Sequence, residues 1–155
     1  MNKFSLAFLF LVFFCITACN SKDKKDNGGQ SVTKTLADSL ENEVMDGHDA
    51  AMAKYGKLTK MRNEAQRLLD SIAKLPAKIR EALTPLKTKL GVVVEDLISA
   101  KANMDKWMDE YKDTIENNIE KRINFLKQEK IKVTKVKESV LNSLQKADSL
   151  LKAKF

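Results

Sequence analysis

The chain has 155 residues, with 28 Lys or Arg against 21 Asp or Glu and a single His, for a net charge of +7. That length suits one domain. One histidine and no spaced cysteine set exclude a zinc finger or an HExxH site, and no Gly-rich phosphate loop is present.

Met1-Asn2-Lys3 is a short basic start, and Phe4 to Ile16 is an apolar run, too short for a comfortable span of about 20 residues. The following "ITAC", ending at Cys19, resembles the lipobox of bacterial lipoprotein signal peptides. The alternative is an ordinary secretory signal with a chance cysteine. The resemblance implies a leader over residues 1–18 that is removed, leaving Cys19 as the acyl-carrying first residue. Cys15 is then lost and the Cys19 sulfur is blocked, so neither a disulfide nor a Cys/His catalytic pair remains. More than one acyl chain, at about 0.8 kcal/mol per buried CH₂, holds a protein on a membrane without a spanning helix. The expected location is the bacterial cell envelope, lipid-anchored at the outer membrane, with the leaflet left open.

Residues 19–32 follow as the lipidated cysteine and a tether. Asn20 to Gln30, "NSKDKKDNGGQ", has no hydrophobic residue to bury and reads as flexible. From Thr33 to Phe155 the period is helical. Leu36, Leu40, Val44, His48, Ala51, Tyr55, Leu58, Met61, Ala65, Leu68 and Ile72 recur every three or four residues. Pro76 stops this run. Thr84-Pro85 looks like an N-cap with proline at the first helical position, so the second helix starts either near 77 with a kink or at 85. Its stripe is Leu86, Leu90, Val93, Leu97, Met104, Met108 and Tyr111. A break over 112–118 is expected from the capping-box-like Asp113 and Glu116 and from the poor helix formers Asn117 and Asn118. The last stripe is Val133, Val136, Val140, Leu144, Ala147, Leu151 and Phe155. The expected fold is all-α, an antiparallel three-helix bundle with coiled-coil-like packing. An extended coiled coil is the alternative.

His48-Asp49-Ala50-Ala51-Met52, Met104-Asp105-Lys106-Trp107-Met108 and the Lys-rich segment from Phe125 to Leu151 together resemble small bacterial lipoproteins known as "viral A-type inclusion protein". The resemblance covers most of the chain after residue 36. It implies a helical lipoprotein and brings no established activity.

Apart from Met1, the methionines fall in two clusters: Met45, Met52 and Met61, then Met104 and Met108. Folding the first two helices as a hairpin brings the clusters to one level. With the turn centred near 75, His48 lies opposite residue 102; centred near 80, Met52 lies opposite Met108. Met45, His48 and Met52 share a helical face. Thioethers plus one imidazole suit Cu(I) or Ag(I) and not Mg²⁺ or Ca²⁺, and Trp107 could cover such an ion through a cation–π contact. A metal set of Met45, His48, Met52, Met104 and Met108 is therefore one expectation. The other is packing: methionines filling gaps beside Trp107 and Tyr55, with His48 half-buried and bonded to a carboxylate. Gly56 and Gly91 fall at nearly one hairpin level, which suggests close helix approach there.

Residues 120–155 hold ten Lys or Arg against four Asp or Glu. That excess is a solvated helical face or a contact for an anionic envelope surface or an envelope protein. Nucleic acid fits poorly, because the stripe lacks aromatics. Carboxylate pairs such as Asp105 and Asp109 are ordinary on solvated helix faces, so catalysis is not expected. The expected function is that of a non-enzymatic interaction or structural module of the envelope, with a soft-metal-binding protein as the alternative.

Overall fold

The computed structural model describes residues 28–112 and 118–153. Those residues form α1 (Gly28–Ala73), α2 (Ala77–Ala82), α3 (Thr84–Glu110) and α4 (Ile119–Lys152), with no strand among them. The expected leader over residues 1–18, Cys19, the Asp113–Glu116 pair and Phe155 lie outside the described residues. Among the described residues no helix is long and apolar enough to cross a membrane.

α1 is helical for 46 residues and begins ahead of Thr33. It ends where Pro76 approaches. Lys74 and Leu75 donate their N–H groups three residues back, to Ser71 and Ile72, which tightens the last turn. Pro76 then occupies the N-cap of α2.

The second helix follows the kinked course. Thr84 is not the cap: Leu83 holds that position, in the bridge conformation with φ −91° and ψ 5°, and no side chain caps it. Leu83 donates to Ile79 O at 3.0 Å and accepts from Lys87 N at 2.9 Å, so the helical bonding runs almost unbroken from α2 into α3. Pro85 has no N–H to contribute, which accounts for the offset between the two pieces.

α3 closes at Tyr111, whose backbone turns to an extended conformation, and α4 opens at Asn118. The Asn118 side chain accepts from the N–H groups of Glu120 at 3.0 Å and Lys121 at 3.1 Å. Asparagine is a poor interior helix former for the same reason that it caps well: its short amide competes for nearby backbone N–H groups.

α1, α3 and α4 pack against one another along apolar faces. His48 of α1 meets Trp107 of α3, and Tyr55 meets Lys101 and Asp105, so those two helices run in opposite directions. Trp107 meets Glu129 of α4 while Asp96 meets Ser143 and Lys146, which again gives opposed directions. Glu43 pairs with Lys130 and Lys57 with Asp148, so α1 and α4 run the same way.

Two buried clusters make up the core. One contains Ala51, Leu58, Met61, Ala65, Ile72, Leu90, Val93, Leu97, Met104, Val140 and Leu144. The other, nearer the start of α1, contains Ala37, Leu40, Val44, Trp107, Ile123, Leu126 and Val133. Met108 and Val136 pack against both and join them.

Two stripe positions of α1 fall elsewhere. Leu36 and Leu68 are exposed, and Ala37 and Gly47 point inward. Gly47 marks the close approach. A Cβ built there stands 2.9 Å from Val133 Cγ1 of α4, whereas Gly56 and Gly91 have nothing within 4 Å. The expectation at Gly56 and Gly91 is thereby overturned: Gly56 lies on the solvent side of α1, away from any partner helix.

Candidate functional site

The hairpin register falls between the two expected ones and sets His48 against Trp107, with ring centroids 5.7 Å apart and planes tilted by 39°. Trp107 stacks on Tyr111 at 5.0 Å, and Tyr111 on Phe125 at 6.0 Å. Rings from three helices, His48, Trp107 and Phe125, and from Tyr111 at the cap of α3 thus form a ladder at one level of the molecule. The Trp107 indole donates Nε1–H to Glu129 Oε2 at 3.0 Å, and Lys132 Nζ reaches the other oxygen at 2.7 Å. Glu129 is only 4% exposed. Both its oxygens are bonded, which satisfies a carboxylate in a setting where it would otherwise be costly.

The expected metal residues divide by exposure. Met104 is wholly buried in the first core cluster, Met108 is half-buried, and Trp107 belongs to the second cluster. Met45 and Met52 are exposed, at 39% and 37%. His48 lies between them, its side chain 23% exposed, with Nδ1 2.8 Å from Asp49 Oδ1. Among the described residues no three His, Cys, Asp or Glu side chains are grouped to hold a metal; thioether donors are a separate class.

A second polar group went unread in the sequence. The Tyr55 hydroxyl donates to Asp105 Oδ1, and Lys101 Nζ donates both to the Tyr55 oxygen and, at 2.8 Å, to Asp105 Oδ2. Lys101 also sits 4.5 Å from the Tyr55 ring centroid. The Lys101 hydrogen bond, reinforced by Tyr55, holds the Asp105 carboxyl below its ordinary pKa; Asp105 first, then Tyr55, holds the Lys101 ammonium above its own. The Lys101–Asp105 spacing of four residues was a visible signal. Beside this group lies a cavity of about 300 Å³, walled by Leu58, Leu97 and Ile98 and edged by Arg62 and Lys101.

The basic face of α4 is partly used within the fold. Arg122 pairs with Glu41 at 2.6 Å, Lys130 with Glu43, Lys132 with Glu129, and Lys146 with Asp96 at 2.8 Å. Lys127, Lys135 and Lys137 carry no ion pair among the described residues. Between the first half of α3 and the second half of α4 lies an open groove of about 810 Å³ with Val92, Val93 and Leu150 in its walls and Lys89 and Lys146 at its edges.

No protein-family model matches the chain, and no curated protein or solved structure matches it either.

Proposed function

We propose that the chain is a lipoprotein of the bacterial cell envelope, anchored through acylated Cys19, and that it acts without catalysis as an interaction or structural module. The observation that carries this reading is the order basic start, apolar run Phe4 to Ile16, then "ITAC" ending at Cys19. A lipid anchor explains how a chain without a spanning helix among its described residues could be held at a membrane. We read α1, α3 and α4 as an antiparallel three-helix bundle; the pairings of His48 with Trp107, Trp107 with Glu129, and Glu43 with Lys130 support it. The likeness to small bacterial lipoproteins belongs to the same proposal.

The test is labelling of growing bacteria with a tagged fatty acid, followed by membrane fractionation. The native chain is expected to take up label and sediment with the envelope. Cys19→Ser is expected to lose both. Label retained by Cys19→Ser, or a native chain free of lipid, refutes the anchor.

The partner surface is the part of α4 whose lysines are not engaged elsewhere. Salt-sensitive binding to anionic vesicles is expected to fall when Lys135 and Lys137 are changed to Gln. Lys130→Gln is expected to change it less, because Lys130 is held by Glu43. Equal effects of the two changes, or binding indifferent to salt, count against this surface.

A further inference from the structure

We propose that Met45, His48 and Met52 form a binding site for a soft monovalent metal ion, Cu(I) or Ag(I), on the exposed edge of α1, with His48 binding through Nε2. The proposal does not depend on the anchor at Cys19.

Exposure comes first. Met61 and Met104 are buried and account for themselves as core side chains. Met45 and Met52 do not: each leaves more than a third of its surface in water, although Val44, Gly47 and Ala51 on the adjoining face are fully covered. Two exposed thioethers flanking one imidazole that keeps about a quarter of its surface in water are accessible to an ion from solution.

Spacing comes second. His48 lies three residues after Met45 and four before Met52, the two separations that bring helical side chains together. Long side chains on a helix lean toward its N-terminus, so His48 leans over Met45 and Met52 leans over His48. The three donors lie along just under two turns of helix, Met45 and Met52 about 10.5 Å apart along the axis with His48 between them; because all three lean the same way, exposed Met45 must swing toward His48 for the set to close on one ion.

The imidazole is also prepared. An ionised carboxylate can only accept, so in the neutral imidazole the 2.8 Å contact with Asp49 places the proton on Nδ1 and turns the Nε2 lone pair toward a metal ion. No protein hydrogen bond to Nε2 is present among the described residues. A carboxylate on the far nitrogen is the arrangement that orients metal-binding histidines and raises their basicity. The Trp107 ring against His48 limits its rotation. Thioether and neutral imidazole donors select Cu(I) or Ag(I) over hard cations. Met108 of α3, half-buried and next in sequence to Trp107, is a candidate for an additional donor; Met104 stays with the core.

The test is competitive titration of the purified full chain with Cu(I) against a chromogenic Cu(I) chelator, and with Ag(I) while the methionine methyl resonances are followed. One ion per chain is expected, bound tighter than micromolar, with the Met45 and Met52 methyl signals shifting and that of Met61 unmoved. The double change Met45→Leu/Met52→Leu keeps volume and fold and is expected to weaken binding at least 100-fold. Asp49→Asn, which removes the carboxylate behind His48, is expected to weaken it about 10-fold, whereas Met61→Leu leaves it unchanged. Binding no tighter than micromolar, equal binding by the Met45→Leu/Met52→Leu chain, or shifts confined to buried methionines overturns the proposal.

Discussion

The contact between Gly47 and Val133 makes a quantitative prediction. On a bare helix, replacing Gly by Ala stabilises by about 1 kcal/mol. At Gly56, which is exposed and has open space around it, that gain should appear in full. At Gly47 the new methyl would stand 2.9 Å from one Val133 methyl and 3.4 Å from the other. Val133 is fully buried, and a valine in a helix has essentially one rotamer, so it cannot swing aside. Relief requires the helices to separate locally, an overpacking cost of about 1–3 kcal/mol. The net for Gly47→Ala is a loss of up to about 2 kcal/mol, set against a gain of about 1 for Gly56→Ala. Urea denaturation of the purified protein, followed by helical circular dichroism, reads both changes as shifts in midpoint. Shortening the opposing residue provides the control: in a Val133→Ala background, Gly47→Ala should turn from destabilising to stabilising. If Gly47→Ala stabilises as much as Gly56→Ala, or if its effect is the same with and without Val133, the close approach does not govern this site.

Trp107→Phe leaves buried Glu129 Oε2 without its indole donor, and a loss of about 1–3 kcal/mol is expected by denaturation. Adding Glu129→Met should recover part of that loss, since Lys132 is already more than half exposed and can return to water; no recovery argues against the unsatisfied carboxylate as the cause. The Tyr55–Lys101–Asp105 group should make stability pH-dependent at both extremes. Asp105 has a lowered pKa, so its contribution is fully present above the ordinary aspartate pKa of about 3.9 and is lost as pH falls through the lower folded value. Lys101 has a raised pKa, so its contribution is present below about 10.4 and is lost as pH rises through the higher folded value. Asp105→Asn should flatten both limbs of a stability-against-pH curve, and an unchanged curve would rule the group out as their source.

Hydrophobic period carried most of the helix assignment. Leu40, Val44, Ala51, Leu58, Met61, Ala65 and Ile72 recur at helical spacing and are buried, as are Leu90, Val93 and Leu97 and then Val133, Val140 and Leu144. Period alone fails where small residues take core positions. Leu36 and Leu68 are exposed while Ala37 and Gly47 are buried, and at Gly47 the helices approach too closely for anything larger. Turn chemistry was legible as location more than as role. Pro76 and Pro85 mark the offset between α1 and α3, but Leu83, not Thr84, takes the cap. At the candidate site, spacing placed Met45, His48 and Met52 together, yet no spacing rule could separate exposed methionines from buried ones. That distinction depends on which side of α1 faces α4. Glu129 was readable in principle, as an acid in line with Leu126 and Val133; its partner Trp107 lies on another helix and could not be found from local pattern.

The shared direction of α1 and α4 gives the molecule two unlike ends. At about 1.5 Å per residue, the 46 residues of α1 span close to 70 Å. Its first turn follows Cys19 by only nine residues, which cover at most about 30 Å of extended chain. If the proposed anchor at Cys19 holds, the protein would stand on it as a stiff post. Its aromatic ladder and methionine edge lie partway up, and the groove between α3 and α4 is carried toward the tip, farthest from the lipid. Lengthening or shortening α1 by whole turns would then raise or lower that groove about 5.4 Å at a time, making elevation above the membrane a property the sequence can adjust independently of what the groove meets.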